Sequence, residues 1–102
     1  VQSFDTRALQ LLHQKYPQYA LSYLIDAKEK RNFGQLIKAL GFKPAILSPN
    51  SAIVTAEMIT DCHQHKIRVI PWTVNDLDEI RKLKKMGVDG IITDYPDLFS
   101  QL

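Results

Sequence analysis

Five times along the chain a short apolar, β-branched run gives way to a segment with apolar residues at helical spacing. That alternation constrains the fold more than any single motif, because it is the pattern of βα units around a parallel sheet. Residues 1–4 read as the first strand. Asp5 can cap a helix whose apolar face is Ala8, Leu11 and Leu12, extended by Leu9, before Pro17 stops it. Residues 20–25 form the second strand, and Asn32 caps a short helix carrying Leu36, Ile37 and Leu40, with Gly41 in the helix-ending position.

The third strand is expected at 44–47, broken by Ser48-Pro49-Asn50-Ser51. A helix over 55–64 follows, capped by Thr55, with Ala56, Ile59 and Cys62 at helical spacing. Residues 67–74 make the fourth strand. Pro71 lies inside it and removes a ladder donor, so a bulge or twist is expected there. Asn75 opens a helix with a buried stripe of Leu77, Ile80, Leu83 and Met86, ended by Gly87. Residues 90–93 are the fifth strand, followed by Asp94-Tyr95-Pro96 and a terminal helical turn through Phe99 and Leu102.

A chain of 102 residues makes one domain. With 45% hydrophobic and 24% charged residues it can bury a real core. Its 13 Lys and Arg are interleaved with 11 Asp and Glu, and the densest basic spots, 28–31 and 82–85, read as solvated faces. No nucleic-acid platform follows, since the aromatics do not alternate with basic residues. No apolar run approaches the roughly 20 residues of a membrane span. The single cysteine, Cys62, cannot form an intrachain disulfide and leaves the compartment open. The chain begins on Val1-Gln2-Ser3-Phe4, already strand-like and without an initiator Met, which leaves room for an upstream leader or domain.

In parallel α/β folds ligands lie beyond the C-terminal ends of the strands. Those positions hold Ser3, Asp5, Asp26, Ser48, Asn50, Trp72 to Asn75, Asp94 and Tyr95. Asp5 and Asn75 sit where helix caps belong, which accounts for them without chemistry. Asp26 precedes a charged loop and reads as a turn former. Asp94 follows a continuous apolar strand, where a turn role competes with a binding one. Trp72 either fills the mouth of a barrel or offers a ligand an apolar wall.

His13, His63 and His65 fall on helices or their ends, away from the strand tips where a general acid or base should project. Cys62-His63-Gln64-His65 has no complementary ligand pair elsewhere and makes no metal site. Phosphate-binding glycine loops, nucleophile elbows and zinc-protease helices are absent from the sequence.

Two late motifs, Trp72-Thr73-Val74-Asn75 and Gly87-Val88-Asp89-Gly90-Ile91-Ile92-Thr93-Asp94-Tyr95-Pro96, resemble the closing strands of glycerophosphodiester phosphodiesterases. Gln2-Ser3-Phe4-Asp5 resembles an earlier strand end of that family, and Cys62-His63 stands where an Ala-His pair is common. The resemblance runs essentially end to end. It implies the C-terminal portion of a TIM (β/α)8 barrel that hydrolyses glycerophosphodiesters to glycerol 3-phosphate and an alcohol with a divalent cation, calcium or magnesium.

The family's catalytic patterns are His-Arg-Gly, Glu-x-Asp, a following His and Glu-x-Lys, and none occurs here. They would belong to three absent βα units, so the resemblance implies no catalytic or metal-ligating residue in this chain. What it carries over is a substrate wall at Trp72, with Asp94 and Tyr95 in the loop beside it. Lys66 departs from the pattern, since the family often places Gly at this helix end.

A (β/α)8 barrel takes about 250 residues, so a chain of 102 holds less than half of one. An open five-strand sheet would expose two edges and apolar interior. Such a chain is expected to be one piece of a longer enzyme and inactive alone. Alternatively it pairs with another copy of itself, or relaxes into an open doubly wound sheet that serves as a binding module.

Overall fold

The computed structural model describes residues 2–95; Val1, Pro96 and the terminal turn through Phe99 and Leu102 lie outside them. The elements alternate: β1 (Gln2–Ser3), α1 (Thr6–Lys15), β2 (Ser22–Ile25), α2 (Phe33–Leu40), β3 (Ile46–Pro49), a 3-10 turn (Ser51–Ile53), α3 (Ala56–Gln64), β4 (Arg68–Val69) and α4 (Leu77–Met86). The strands form one parallel sheet in chain order, β1-β2-β3-β4.

Register sorts the side chains into two layers, because partners across a parallel ladder point to the same face and neighbours along a strand to opposite ones. Tyr23, Leu47 and Val69 share one row. With Ile25 they join Leu9, Leu36, Leu40, Ile59 and Cys62 in the main core. This is the helix-covered face, and α1 packs on α2 and α2 on α3 along it. Gln2, Ser22, Ile46 and Arg68 share the other row, and Leu24 pairs with Ser48 one step further up the same face. The helices therefore lie on one side, as in a barrel wall rather than a doubly wound sheet.

Curvature points the same way. Neighbouring strands lie about 4.8 Å apart, so a flat sheet would hold β1 and β4 about 14 Å apart. Phe4, just past β1, and Trp72, just past β4, nevertheless bring their ring centroids to 5.7 Å. The sheet curls around its uncovered face.

The helix boundaries follow from their caps. Asp5 accepts from the Arg7 amide, Thr55 from the Met58 amide, and Asn32 forms a reciprocal box with Gln35. Gly41 and Gly87 close α2 and α4 in the left-handed region, at φ 85° and 100°. Lys66 does the same after α3 at φ 59°. The geometry that suits glycine is kept there although a lysine occupies it.

Several expectations need correction. In α1, Leu9 is fully buried whereas Leu11 is 52% exposed, because Leu9 with Leu12 and Ala8 faces the sheet. On α3, Ala56 is exposed, and Ile59 and Cys62 carry the contact. β3 runs later than expected: Ser48 and Pro49 belong to it. Pro49 still accepts from the Trp72 amide and forgoes only a donor toward β4. Asn75 is not the cap of α4, since Asp76 accepts from the Asp78 amide.

The fourth strand is regular only at Arg68–Val69 and returns as a single bridge between Asn50 and Trp72. The fifth run, 90–93, lies against it without becoming a regular strand. The Asp89 amide donates to the Val69 carbonyl, so a regular ladder would next use an amide at residue 71, which is proline. The register slips by one, and the Ile92 amide, rather than that of residue 91, reaches the Pro71 carbonyl. This is the irregularity expected at Pro71.

Candidate functional site

The strand C-termini gather at one end, and most of their polar groups hold the backbone there. The Asp5 amide donates to Ser3 Oγ at 2.9 Å while the Asp5 carboxylate caps α1, so both polar members of Ser3-Phe4-Asp5 are engaged locally. Asn50 caps the 3-10 turn through the Ala52 amide. Beyond β2, Asp26 accepts from the Lys28 amide, confirming its turn role. Glu29 takes Arg31 in a two-point pair, with Nε at 2.9 Å and Nη2 at 2.8 Å. The Arg31 side chain and the Arg31 and Lys30 amides outweigh burial and hold the Glu29 carboxyl down at about 2.

Trp72 is fixed from beneath. Its indole Nε1 donates to the Ser48 carbonyl at 2.8 Å, and the buried Ser48 hydroxyl meets that of Ser22 at 2.7 Å. With its one donor used, the ring offers only its apolar surface. The edge of the Phe4–Trp72 pair is T-shaped, at 82°. Together with Gln2, Leu24, Thr73 and Ile92 they line a cavity of about 190 Å³ on the uncovered face. A second, of about 290 Å³, adjoins it across Phe4 and Leu24 and is edged by Asp26, Glu29 and Arg31.

Asp94 and Tyr95 stand apart from this cavity's lining. Asn75 binds the closing segment at three points: Oδ1 accepts from the Asp94 amide at 2.9 Å and from Thr93 Oγ1 at 3.0 Å, and Nδ2 donates to Asp94 Oδ2 at 3.0 Å. Asp94 is thus half of a latch between the loop after Trp72 and the closing segment. The Tyr95 amide donates to Thr93 Oγ1, and its ring is 59% exposed.

The histidines lie off the strand tips, as expected. His13 stacks on Phe42 with centroids 4.0 Å apart, and His65 leans on Phe33. His63 is more specific: its Nε2 lies 2.8 Å from Asp89 Oδ2, which also accepts the Val69 amide at 2.7 Å. Burial pushes the Asp89 carboxyl up, but the Val69 amide, His63 and Arg68 outweigh it and hold it below the usual carboxylate range. Burial, with Asp61 and Asp89 adding repulsion, pushes the Cys62 thiol up to about 12, so it is no nucleophile.

Among the described residues, no three His, Cys, Asp or Glu side chains converge to hold a metal ion. No helix among them is long and apolar enough to cross a membrane.

Sequence reasoning missed Phe4, the Asn75 latch and the His63–Asp89 link. The latch partners lie 19 residues apart and the His63–Asp89 pair 26 apart, beyond any local periodicity. Phe4 carried a signal, a large apolar residue at a strand tip directly before the helix cap Asp5.

The glycerophosphoryl diester phosphodiesterase family model matches residues 1–98. A glycerophosphodiester phosphodiesterase of Bacillus altitudinis is 34% identical over 99 residues, which cover 95% of this chain and 39% of that protein. One from Bacillus subtilis is 26% identical across the whole chain and 35% of its own length. The chain thus spans about two-fifths of the length of such relatives. Among solved structures, the glycerophosphodiester phosphodiesterase of Thermotoga maritima superposes with a TM-score of 0.74 at 27% identity, over 98% of this chain and 45% of that one. An Oleispira antarctica phosphodiesterase in complex with the product sn-glycerol-3-phosphate shares the fold, with a TM-score of 0.81 at 24% identity over 97% of this chain and 39% of that one.

Proposed function

The chain belongs to the glycerophosphoryl diester phosphodiesterase family, and from that membership we propose that it forms the fourth to eighth βα units of a (β/α)8 barrel hydrolysing glycerophosphodiesters to glycerol 3-phosphate and an alcohol. The observation that carries this reading is the Trp72 cavity. It lies where the strand ends of a curled parallel sheet converge, and that is where barrels of this kind bind substrate.

A phosphodiester repels nucleophiles through its charge, so its hydrolysis needs charge neutralisation and an acid for the leaving oxygen. The residues here do neither. In this reading the first three βα units bring the acid-base groups and the ligands of a calcium or magnesium ion. This chain brings the apolar wall at Trp72. Asp94 and Tyr95 lie in the closing loop outside that cavity's lining, with Asp94 serving substrate by keeping the loop after Trp72 in place.

The partner of the uncovered face is accordingly the upstream part of the barrel. A second reading, association with another copy, draws on the edge position of β1 and on Phe4, which is 53% exposed. The test is hydrolysis of glycerophosphocholine with added calcium or magnesium. The chain alone should release no glycerol 3-phosphate, and the chain fused behind the first three βα units of the Bacillus altitudinis relative should release it. Turnover by the chain alone, or none by the fusion once its fold is verified, would overturn the reading.

A further inference from the structure

We propose that a cavity at the end of the sheet opposite Trp72 binds a small aromatic phosphate monoester, its phosphate on Lys43 and Lys66 and its ring against Tyr19 and Phe42. The cavity opens at the N-terminal ends of the strands, where Leu21 stands before β2, Ala45 before β3 and Lys66 before β4. Substrate in barrels of this kind binds at the other end, so the site is independent of the phosphodiesterase reading.

The apolar part of the lining is rigid and flat. His13 on α1 stacks on Phe42 with centroids 4.0 Å and planes 1° apart, which holds the Phe42 ring in place. Tyr19, 54% exposed, leans on Tyr16, and Pro44 adds a further fixed surface. At about 250 Å³ the space falls just below the roughly 300 Å³ at which sites for drug-sized ligands begin, which suits a ligand with one ring.

The charge at the cavity has one sign. Lys43 and Lys66 line it, and no Asp or Glu does among the described residues. Neither ammonium has a hydrogen bond or carboxylate partner among those residues. Neutralising helix ends does not account for them, because Lys15 and Lys38 already stand in the last turns of α1 and α2. Lys66 also holds φ at 59°, a conformation that favours glycine, and non-glycine residues kept in such conformations cluster at ligand sites. Its backbone is locked there, since the Lys66 amide donates to the His63 carbonyl and the Ile67 amide to that of Cys62. Two unpaired cations match the charge of a phosphate monoester, close to two at neutral pH.

The test titrates the 102-residue chain with phenyl phosphate and follows amide shifts by NMR. Saturable shifts should appear around Phe42, Lys43 and Lys66, with a Kd in the millimolar range, and should weaken as salt is added. Benzoate, with one charge, and glycerol 3-phosphate, with no ring, should each bind there several-fold more weakly. Lys66→Gly should weaken phenyl phosphate about tenfold, and because glycine suits this backbone the loss cannot come from unfolding. Lys43→Gln should give a loss of the same order. Shifts confined to the Trp72 end, or an unchanged Kd in Lys66→Gly, would overturn the proposal and leave the phosphodiesterase reading untouched. Equal affinity for glycerol 3-phosphate at this cavity would overturn the role given to the rings, and equal affinity for benzoate the match to two charges.

Discussion

At the scale of single residues, the GVDG motif is explained by a side chain acting as backbone. Asp89 Oδ2 accepts the Val69 amide and His63 Nε2, taking the place of a ladder carbonyl where the closing segment begins. Its carboxyl is held below its ordinary value of about 3.9, so its stabilisation is present above that pH and is lost as pH falls through the lowered value. Asp89→Asn should cost about 1 kcal/mol at pH 7 by urea unfolding, and the gap to wild type should close below about pH 4. A gap independent of pH would show that the charge has no part. Lys66 invites the opposite change. With φ at 59°, Lys66→Gly should stabilise the fold by about 0.5–1 kcal/mol, and a lower urea midpoint would contradict this. Cys62, fully buried with its thiol raised to about 12, should resist thiol reagents until the chain unfolds; labelling at the rate of a free thiol would mean that α3 opens readily.

At the scale of elements, the closing segment is the weakest part of the sheet. Pro71 denies it a ladder bond, and its attachment beyond Asp89 is carried by the Ile92 amide to Pro71, the Val74 amide to Ile92 and the three bonds of Asn75. Asn75→Ala should speed hydrogen exchange at the Val74 and Ile92 amides and lower stability by about 1–2 kcal/mol, with α2 protection unchanged. Uniform acceleration across the sheet would instead make the segment part of the global core. Helices were legible because their signals are local: Asn32 with Gln35, Thr55, Gly41 and Gly87 each mark an end in the sequence. Strands were legible in number more than in extent. β4 shrank to two residues because the ladder depends on donors in a neighbouring segment, which periodicity does not reveal. The same holds for the candidate site: Trp72 announced itself at a strand end, but the Ser48 carbonyl that orients it and the Phe4 ring that meets it come from distant units.

At the scale of the molecule, one face of the sheet is covered by helices and the other carries Phe4, Leu24 and Trp72 around an open cavity. If a second copy covers that face, light scattering at micromolar concentration should give twice the monomer mass, and Phe4→Asp should return it to monomer. A monomer mass for the wild-type chain counts against that reading. The central claim is that this chain holds a barrel sector and a substrate wall while the reacting groups come from elsewhere. Its most direct test supplies the first three βα units as a separate polypeptide at fixed concentration and titrates in this chain, following glycerol 3-phosphate release with calcium or magnesium present. The rate should start at zero for either part alone and saturate at one equivalent; turnover by this chain alone, or no turnover at any ratio from folded parts, would contradict the claim.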